Sequence, residues 1–424
     1  MGPAEPARFG LWSIMTGAFF VCCLFWQSIT PEVIEHSQAG AAAAQQGRLD
    51  EAIKEFRKVA ELRPGSAVAH ARLGDAYFQH GELNAAIPEL ELALRLDPNL
   101  LDTHQTLGVI LLMQGDAEGA LPHLEKLRTP ELLGLAYLET GRLGGAITAL
   151  QAALDKQPND PNLLYYFGRA TASASKRSSD RLADVNPELA RKNGATSDKE
   201  SRAPQDVVSV QNELTKQPDN PDLLFAFSRA AAQASRQAFD RILQSNPDSA
   251  RAHQVLAERY FESGAFAQAE REYGASLRLR PSSPNVHLAL GDVFAAERNW
   301  AEAVGQYGME TQLQPFSGDA FYALGSALLQ QGRAIGAVGE LTRADRLKPN
   351  TPRILLALGR AAFAANDTTR AEAVWIKLVG IDQKSDLAAS AHLGLSELYR
   401  RAGRSLEADR EMAIYELLKK QRGH

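Results

Sequence analysis

Small and apolar residues recur along this chain at two nested periods. The long one is 34 residues: it separates Gly40, Gly74 and Gly108, and again Gly291, Gly325 and Gly359. Within each long period the apolar positions follow the 3.6-residue helical repeat, so each unit predicts a pair of amphipathic helices. In residues 67–100, His70, Leu73 and Tyr77 form the stripe of a first helix, Gly81 ends it, Leu90 anchors a second, and Pro98 keeps that one from running on. Gly74, Ala86 and Ala93 are small where the two helices must cross closely. A period of this length predicts an all-α solenoid whose units pack only on their neighbours and leave a continuous groove. Such an architecture points to binding before it points to catalysis.

The clearest unit closely resembles the tetratricopeptide repeat. That family's pattern has a small residue at position 8, a large one at 11, Gly near 15, Ala at 20, a large apolar residue at 24, a small one at 27 and Pro at 32. Gly74, Tyr77, Gly81, Ala86, Leu90, Ala93 and Pro98 satisfy all seven. The same register gives further units from Gly40, Phe56 and Pro64; from Gly108, Gly115 and Leu124; and from Gly134, Gly141, Leu150 and Pro158. It resumes with Ala257, Tyr273 and Pro281, then Gly291, Tyr307 and Pro315, then Gly325, Leu341 and Pro349, then Gly359 and Trp375, and last Ser396, Tyr399 and Ala408. Gly108 to Gly134 is shorter than one period, so the third unit is expected to lose part of its second helix near Leu127 to Pro130. The resemblance implies an α-α superhelix in two arms, residues 33–160 and 250–420.

Between the arms, residues 161–249 depart from the pattern twice in the same way. Laid at an offset that puts Ile147 on Val207, a little under half the positions match through Arg191 and Arg251, including Arg169 with Arg229 and Asp180 with Asp240. These are expected to be duplicated degenerate repeats, each a first helix, a shortened turn and an abbreviated second helix. Residues 192–206 between them are polar and mixed in charge, which predicts a flexible linker.

Residues 1–32 stand apart. Residues 10–26 carry no charge and, extended through Ile29, reach the ~20 residues that span a bilayer as a hydrophobic helix. Only Arg8 precedes the run, and no small-x-small cleavage site follows until the Ala-rich stretch already placed in a repeat, so an uncleaved anchor is favoured over a cleaved signal. With Arg8 before the segment and Glu32 and Glu35 after it, the positive-inside rule puts the repeats across the membrane, as an exported, extracytoplasmic protein such as one tethered to an inner membrane facing the periplasm. Cys22 and Cys23, the only cysteines, lie in this run, so the repeats hold no disulfide or thiolate metal site.

Charge and chemistry narrow the function classes. A net charge of -5 over 424 residues argues against nucleic acid as partner. Six of the nine histidines (His36, His70, His104, His253, His287 and His392) fall at repeat position 4, where a side chain packs on the neighbouring helix, so a metal site is not expected. Paired acids such as Glu270 and Glu272 fall on outer, solvated faces. No metalloprotease, nucleophile-elbow, phosphate-loop or dinucleotide motif occurs in the context it needs, so neither catalytic residues nor a cofactor are predicted.

What remains is the groove, which the resemblance lines with first-helix positions 2, 5, 9, 12 and 13. From these the candidate partner-binding residues are Phe78, Leu112, Phe261, Asp292, Tyr322, Leu329, Arg353, Arg360 and Phe363, with Arg251, Gln254 and Glu258 on the same face. The mixture of aromatic, aliphatic and charged groups suits a protein or peptide segment. Relatives that hold the tails of heat-shock chaperones use a Lys, Asn and Arg clamp; the matching positions here begin Ser37, Ala41, Ala71 and Asp75, so that ligand is disfavoured. The sequence thus predicts a non-catalytic adaptor in the cell envelope. An accessory subunit presenting substrates to a separate enzyme, or a self-assembling structural protein, are the alternatives.

Overall fold

A computed structural model of the chain describes residues 30–195 and 206–420. The described residues are helical hairpins in succession, and they divide into two compact units, one up to Leu107 and one from Gly108. The hydrophobic run at residues 10–29, predicted as an anchor, lies outside the described residues. Among those described, no helix is long and apolar enough to cross a membrane.

The unit up to Leu107 contains α1 (Pro31–Gln45), α2 (Leu49–Leu62), α3 (Ala67–His80), α4 (Leu83–Leu96) and the start of α5 (Leu101–Met113). α1 packs on α2, α2 on α3, and α3 on α4. The crossing residues explain why: a Cβ on Gly74 would lie 2.6 Å from the Leu90 side chain, so only glycine lets α3 and α4 approach this closely. Gly81 follows α3 at φ 89°, the left-handed conformation that ends a helix cheaply only when no Cβ is present.

The unit from Gly108 begins with the rest of α5 and continues through α6 (Ala117–Leu127), α7 (Pro130–Glu139) and α8 (Leu143–Lys156). α6 has 11 residues against 14 for α8, and Arg128 in the left-handed region stops it before Pro130; this is the truncation expected near Leu127. After the middle segment come α13 (Ala250–Glu262), α14 (Phe266–Leu279), α15 (Val286–Ala296), α16 (Trp300–Leu313), α17 (Gly318–Gln330), α18 (Ala334–Leu347), α19 (Pro352–Ala364), α20 (Thr368–Ile381), α21 (Asp386–Arg401) and α22 (Ser405–Lys420).

The middle corrects the expectation of a turn within each duplicate. Each copy is one uninterrupted helix of 25 residues, α9 (Pro161–Val185) and α12 (Pro221–Ser245), accompanied by the short α10 (Pro187–Ala195) and α11 (Val207–Lys216). The linker expected from residue 192 is helical through Ala195; the part at 196–205 lies outside the described residues, and Asp206 caps α11. The reason is in the sequence: the turn position that elsewhere holds Gly is Ser175 in one copy and Ser235 in the other, with no Gly or Pro near enough to break the helix.

The straightened helices then exchange partners. In an ordinary unit the residue at position 8 meets the one 16 further on, as Gly325 meets Leu341. Gly168 instead meets Phe239 of α12, while the copy's equivalent, Ser228, receives Ser175 (hydroxyl to carbonyl, 2.8 Å) and Ser179 (2.7 Å) of α9. Arg181 reaches Asp219 at 2.9 Å and Arg241 reaches Asn159 at 2.8 Å, the same contact twice under the duplication. Each long helix therefore supplies the missing second helix of the other, antiparallel and with approximate twofold symmetry.

Candidate functional site

The consequence for the groove is that α9 stands directly beside α13. First helices follow one another on one face of this unit, with α7 next to α9, α9 next to α13, α15 next to α17, α17 next to α19 and α19 next to α21. Arg251, Gln254 and Glu258, expected to line an open groove, are covered by α9. Arg251 is buried, donates to Asn162 Oδ1 at 3.0 Å and the Tyr166 hydroxyl at 2.6 Å, and lies 4.4 Å from the Tyr165 ring centroid. The Tyr165 hydroxyl donates to Glu258 at 2.6 Å. Burial raises the Glu258 carboxyl above its ordinary range, with Tyr165, Arg169 and Arg251 opposing, and burial likewise raises the Tyr165 hydroxyl. These groups tie the row of first helices together and leave little for a ligand.

The structure separates the nine predicted residues into two sets. Phe78 is half-buried in the first unit. Leu112 packs on its own hairpin beside Leu121 and Leu124. Phe261 turns to Phe266, 5.7 Å between ring centroids, and the Asp292 carboxylate accepts from the Tyr307 hydroxyl at 2.7 Å. The other five, Tyr322, Leu329, Arg353, Arg360 and Phe363, come together on α17 and α19.

That face has a consistent construction. Tyr322, Leu329 and Phe363 are partly buried, each with its inner side on the core formed by Leu355, Leu356 and Trp375. Arg353 lies 4.9 Å from the Tyr322 centroid and is ion-paired to Asp319, which also holds Lys348. Arg401 of α21 covers Phe363 at 4.3 Å and pairs with Glu397 at 2.6 Å. Arg360 is exposed and forms no ion pair among the described residues, and the buried Ser326 hydroxyl between Tyr322 and Leu329 has no hydrogen-bond partner there. Partly buried rings with guanidinium groups over or beside them offer apolar contact and charge-assisted hydrogen bonds to a neighbouring chain.

Two family models described as tetratricopeptide repeat match the sequence, one over residues 43–107 and 226–293, the other over 131–176, 285–352 and 322–379. Together they cover more than half the chain. It belongs to the tetratricopeptide repeat family. Curated protein sequences give no match. Among solved structures, MamA (residues 41 to the end) from Desulfovibrio magneticus RS-1 is 19% identical, covering 42% of this chain and 98% of that one at a TM-score of 0.40. YrrB, described as a TPR protein with an unusual peptide-binding site, is 18% identical over 44% of this chain and 94% of its own, TM-score 0.39. PilW, described as a widely conserved type IV pilus biogenesis factor, is 18% identical over 49% and 89%, TM-score 0.38.

Some groups on this tetratricopeptide repeat face were missed by sequence reasoning. With Ser396 at position 8, the same template assigns Leu393, Glu397, Arg400 and Arg401 to the groove face of α21; Leu393 is 38% exposed. The signal was present, and the insertion before α21 obscured it. Elsewhere the repeat's outer side is self-satisfied. His36, His70, His253 and His392 each bond through Nδ1 to a glutamate 19 residues on, at 2.5 to 2.6 Å, and Glu272, expected to be solvated, is the partner of His253. Among the described residues no group of three metal-ligating side chains occurs.

Proposed function

We propose that this protein is a non-catalytic scaffold that binds a segment of a partner protein across the face of α17, α19 and α21. The observation that carries the reading is the row of half-buried Tyr322, Leu329 and Phe363 flanked by Arg353, Arg401 and the unpaired Arg360. Half-buried rings are already ordered by the core, so a partner gains contact area with little loss of side-chain entropy. An exported location, with residues 10–29 as anchor, fits the uncharged run and the acidic residues after it. The test is photo-crosslinking in cells from a probe amino acid at Ser326. A single protein captured by this chain and lost when Tyr322→Ala and Phe363→Ala are added, at unchanged helicity, supports the reading. Capture that is indifferent to those two substitutions sinks it.

A further inference from the structure

Some charged side chains of the unit from Gly108 are paired with a neighbour, as in Arg259 with Asp240 at 2.7 Å, Lys377 with Asp345 at 3.4 Å, and Arg404 with Glu372 at 2.9 Å. At groove positions, the charges that form no ion pair sort by sign along the row. Glu131 and Glu139 on α7 and Glu262 on α13 form no ion pair among the described residues. Neither do Arg360 on α19 and Arg400 on α21. The cations nearest the acidic stretch are used internally: Arg251 by Asn162, Tyr166 and Gln254, and Arg169 by the Tyr165 ring at 5.8 Å and by the charges of Glu139 and Glu258. The acids nearest the basic stretch are used too, Asp319 by Arg353 and Lys348, and Glu397 by Arg401. What is left unanswered is acidic at one end of the row and basic at the other, with Tyr322, Leu329 and Phe363 between or beside.

From this segregation we infer that the groove takes an extended segment of a partner protein with divided charge: a lysine- or arginine-rich part against α7 and α13, apolar side chains against α17 and α19, and an aspartate- or glutamate-rich part against Arg360 and Arg400. The inference rests on the binding reading above and adds the chemistry and the order of the partner. Glu262, Arg360 and Arg400 are exposed and unpaired in the free protein, so a matching partner charge meets no ion-paired competitor there, whereas at Glu139 it competes with Arg169. A uniformly charged chain is attracted at one end and repelled at the other, which makes the division a specificity device. Six steps between seven first helices at ~9 Å each give a path of roughly 55 Å, which about 17 extended residues cover.

The experiment is selection of random peptides of about 20 residues, long enough for that path, on the immobilised full chain at low ionic strength. Peptides enriched on the native chain, and lost on the Tyr322→Ala, Phe363→Ala variant, are expected to carry cations in one half and carboxylates in the other. A Glu139→Lys, Glu262→Lys chain should select acidic residues in place of the cations while keeping the acidic half. An Arg360→Glu, Arg400→Glu chain should do the converse. A representative peptide should lose about tenfold in affinity on either charge-reversed chain, the loss shrinking as salt screens the pairs. All four charges are at partly or fully exposed positions, and unchanged circular dichroism checks that the variants fold. Groove-dependent peptides without divided charge, or the same peptides on all three chains, overturn this inference and leave groove binding intact. No groove-dependent peptide at all overturns both. A dimer of the full chain that dissociates in both charge-reversed variants overturns it by giving the face to a second copy.

Discussion

At the scale of single residues, the departures from the repeat pattern are compensations. Position 27 is small in most units (Ala93, Ala153, Ala344) but is Glu310 in the unit built around Gly291. Glu310 is fully buried and accepts the backbone N–H of Asn285 at 2.8 Å and of Leu288 at 3.2 Å. It caps α15, whose preceding Asn285 sits at φ 65° and makes no cap of its own, whereas Ser66, Ser249 and Ser317 cap their helices locally. Glu310→Ala is expected to cost about 2 kcal/mol by urea denaturation, the penalty for orphaning buried donors. Burial raises the Glu310 carboxyl above its ordinary range against the opposing backbone donors. A raised folded-state pKa means that its stabilisation is complete below the unfolded value and fades as pH climbs through the folded one. Stability of Glu310→Gln relative to native should therefore improve from pH 4 to pH 7, and a difference moving the other way would refute the assignment. The histidines at position 4 were legible as repeat positions. Their glutamate partners 19 residues on were not, because such residues also suit a solvated face and the sequence alone does not say which helix lies opposite.

At the scale of elements, the duplication was legible but its geometry was not. A matched pair of segments predicts two similar units, and local pattern alone assigns each the hairpin found elsewhere. Ser175 and Ser235 decide otherwise, since the residues around them favour helix and nothing there interrupts it. A 25-residue helix cannot fold back on itself, so the apolar faces of α9 and α12 bury each other instead. Reciprocal exchange within one chain is the same solution that swapped dimers reach between chains. The double variant Ser179→Cys, Ser228→Cys tests the arrangement directly, since the two hydroxyl oxygens are 2.7 Å apart. Oxidation should give a monomer whose protease digest links the two segments by a disulfide. Free thiols, or a disulfide joining two chains, would refute the pairing of α9 with α12.

At the scale of the whole molecule, the 34-residue period predicted hairpin after hairpin correctly, because units that pack mainly on their neighbours leave their pattern in local sequence, whereas a distant contact such as the Phe316 N–H donating to the Gln114 carbonyl at 2.9 Å leaves none. The row of first helices was legible within each regular stretch and illegible across residues 161–249, where α9 joins α12 beside α13. Stability should inherit the same locality. A valine at Gly74 forces its Cβ to within 2.6 Å of Leu90, an overpacking worth 1 to 3 kcal/mol or more in typical cores. In a globule with a single core that cost would lower protection everywhere. Here it should open α3 and α4 and the helices beside them, while α15 to α22 retain their protection because their cores are built from one another. Hydrogen exchange read by mass spectrometry resolves the two outcomes. If Gly74→Val accelerates exchange in α17 to α20 as much as in α3 and α4, the chain unfolds as one cooperative body and the nearest-neighbour account fails. If the effect stays local, substitutions that disable a binding face at one end can be judged without fear that they have loosened the other.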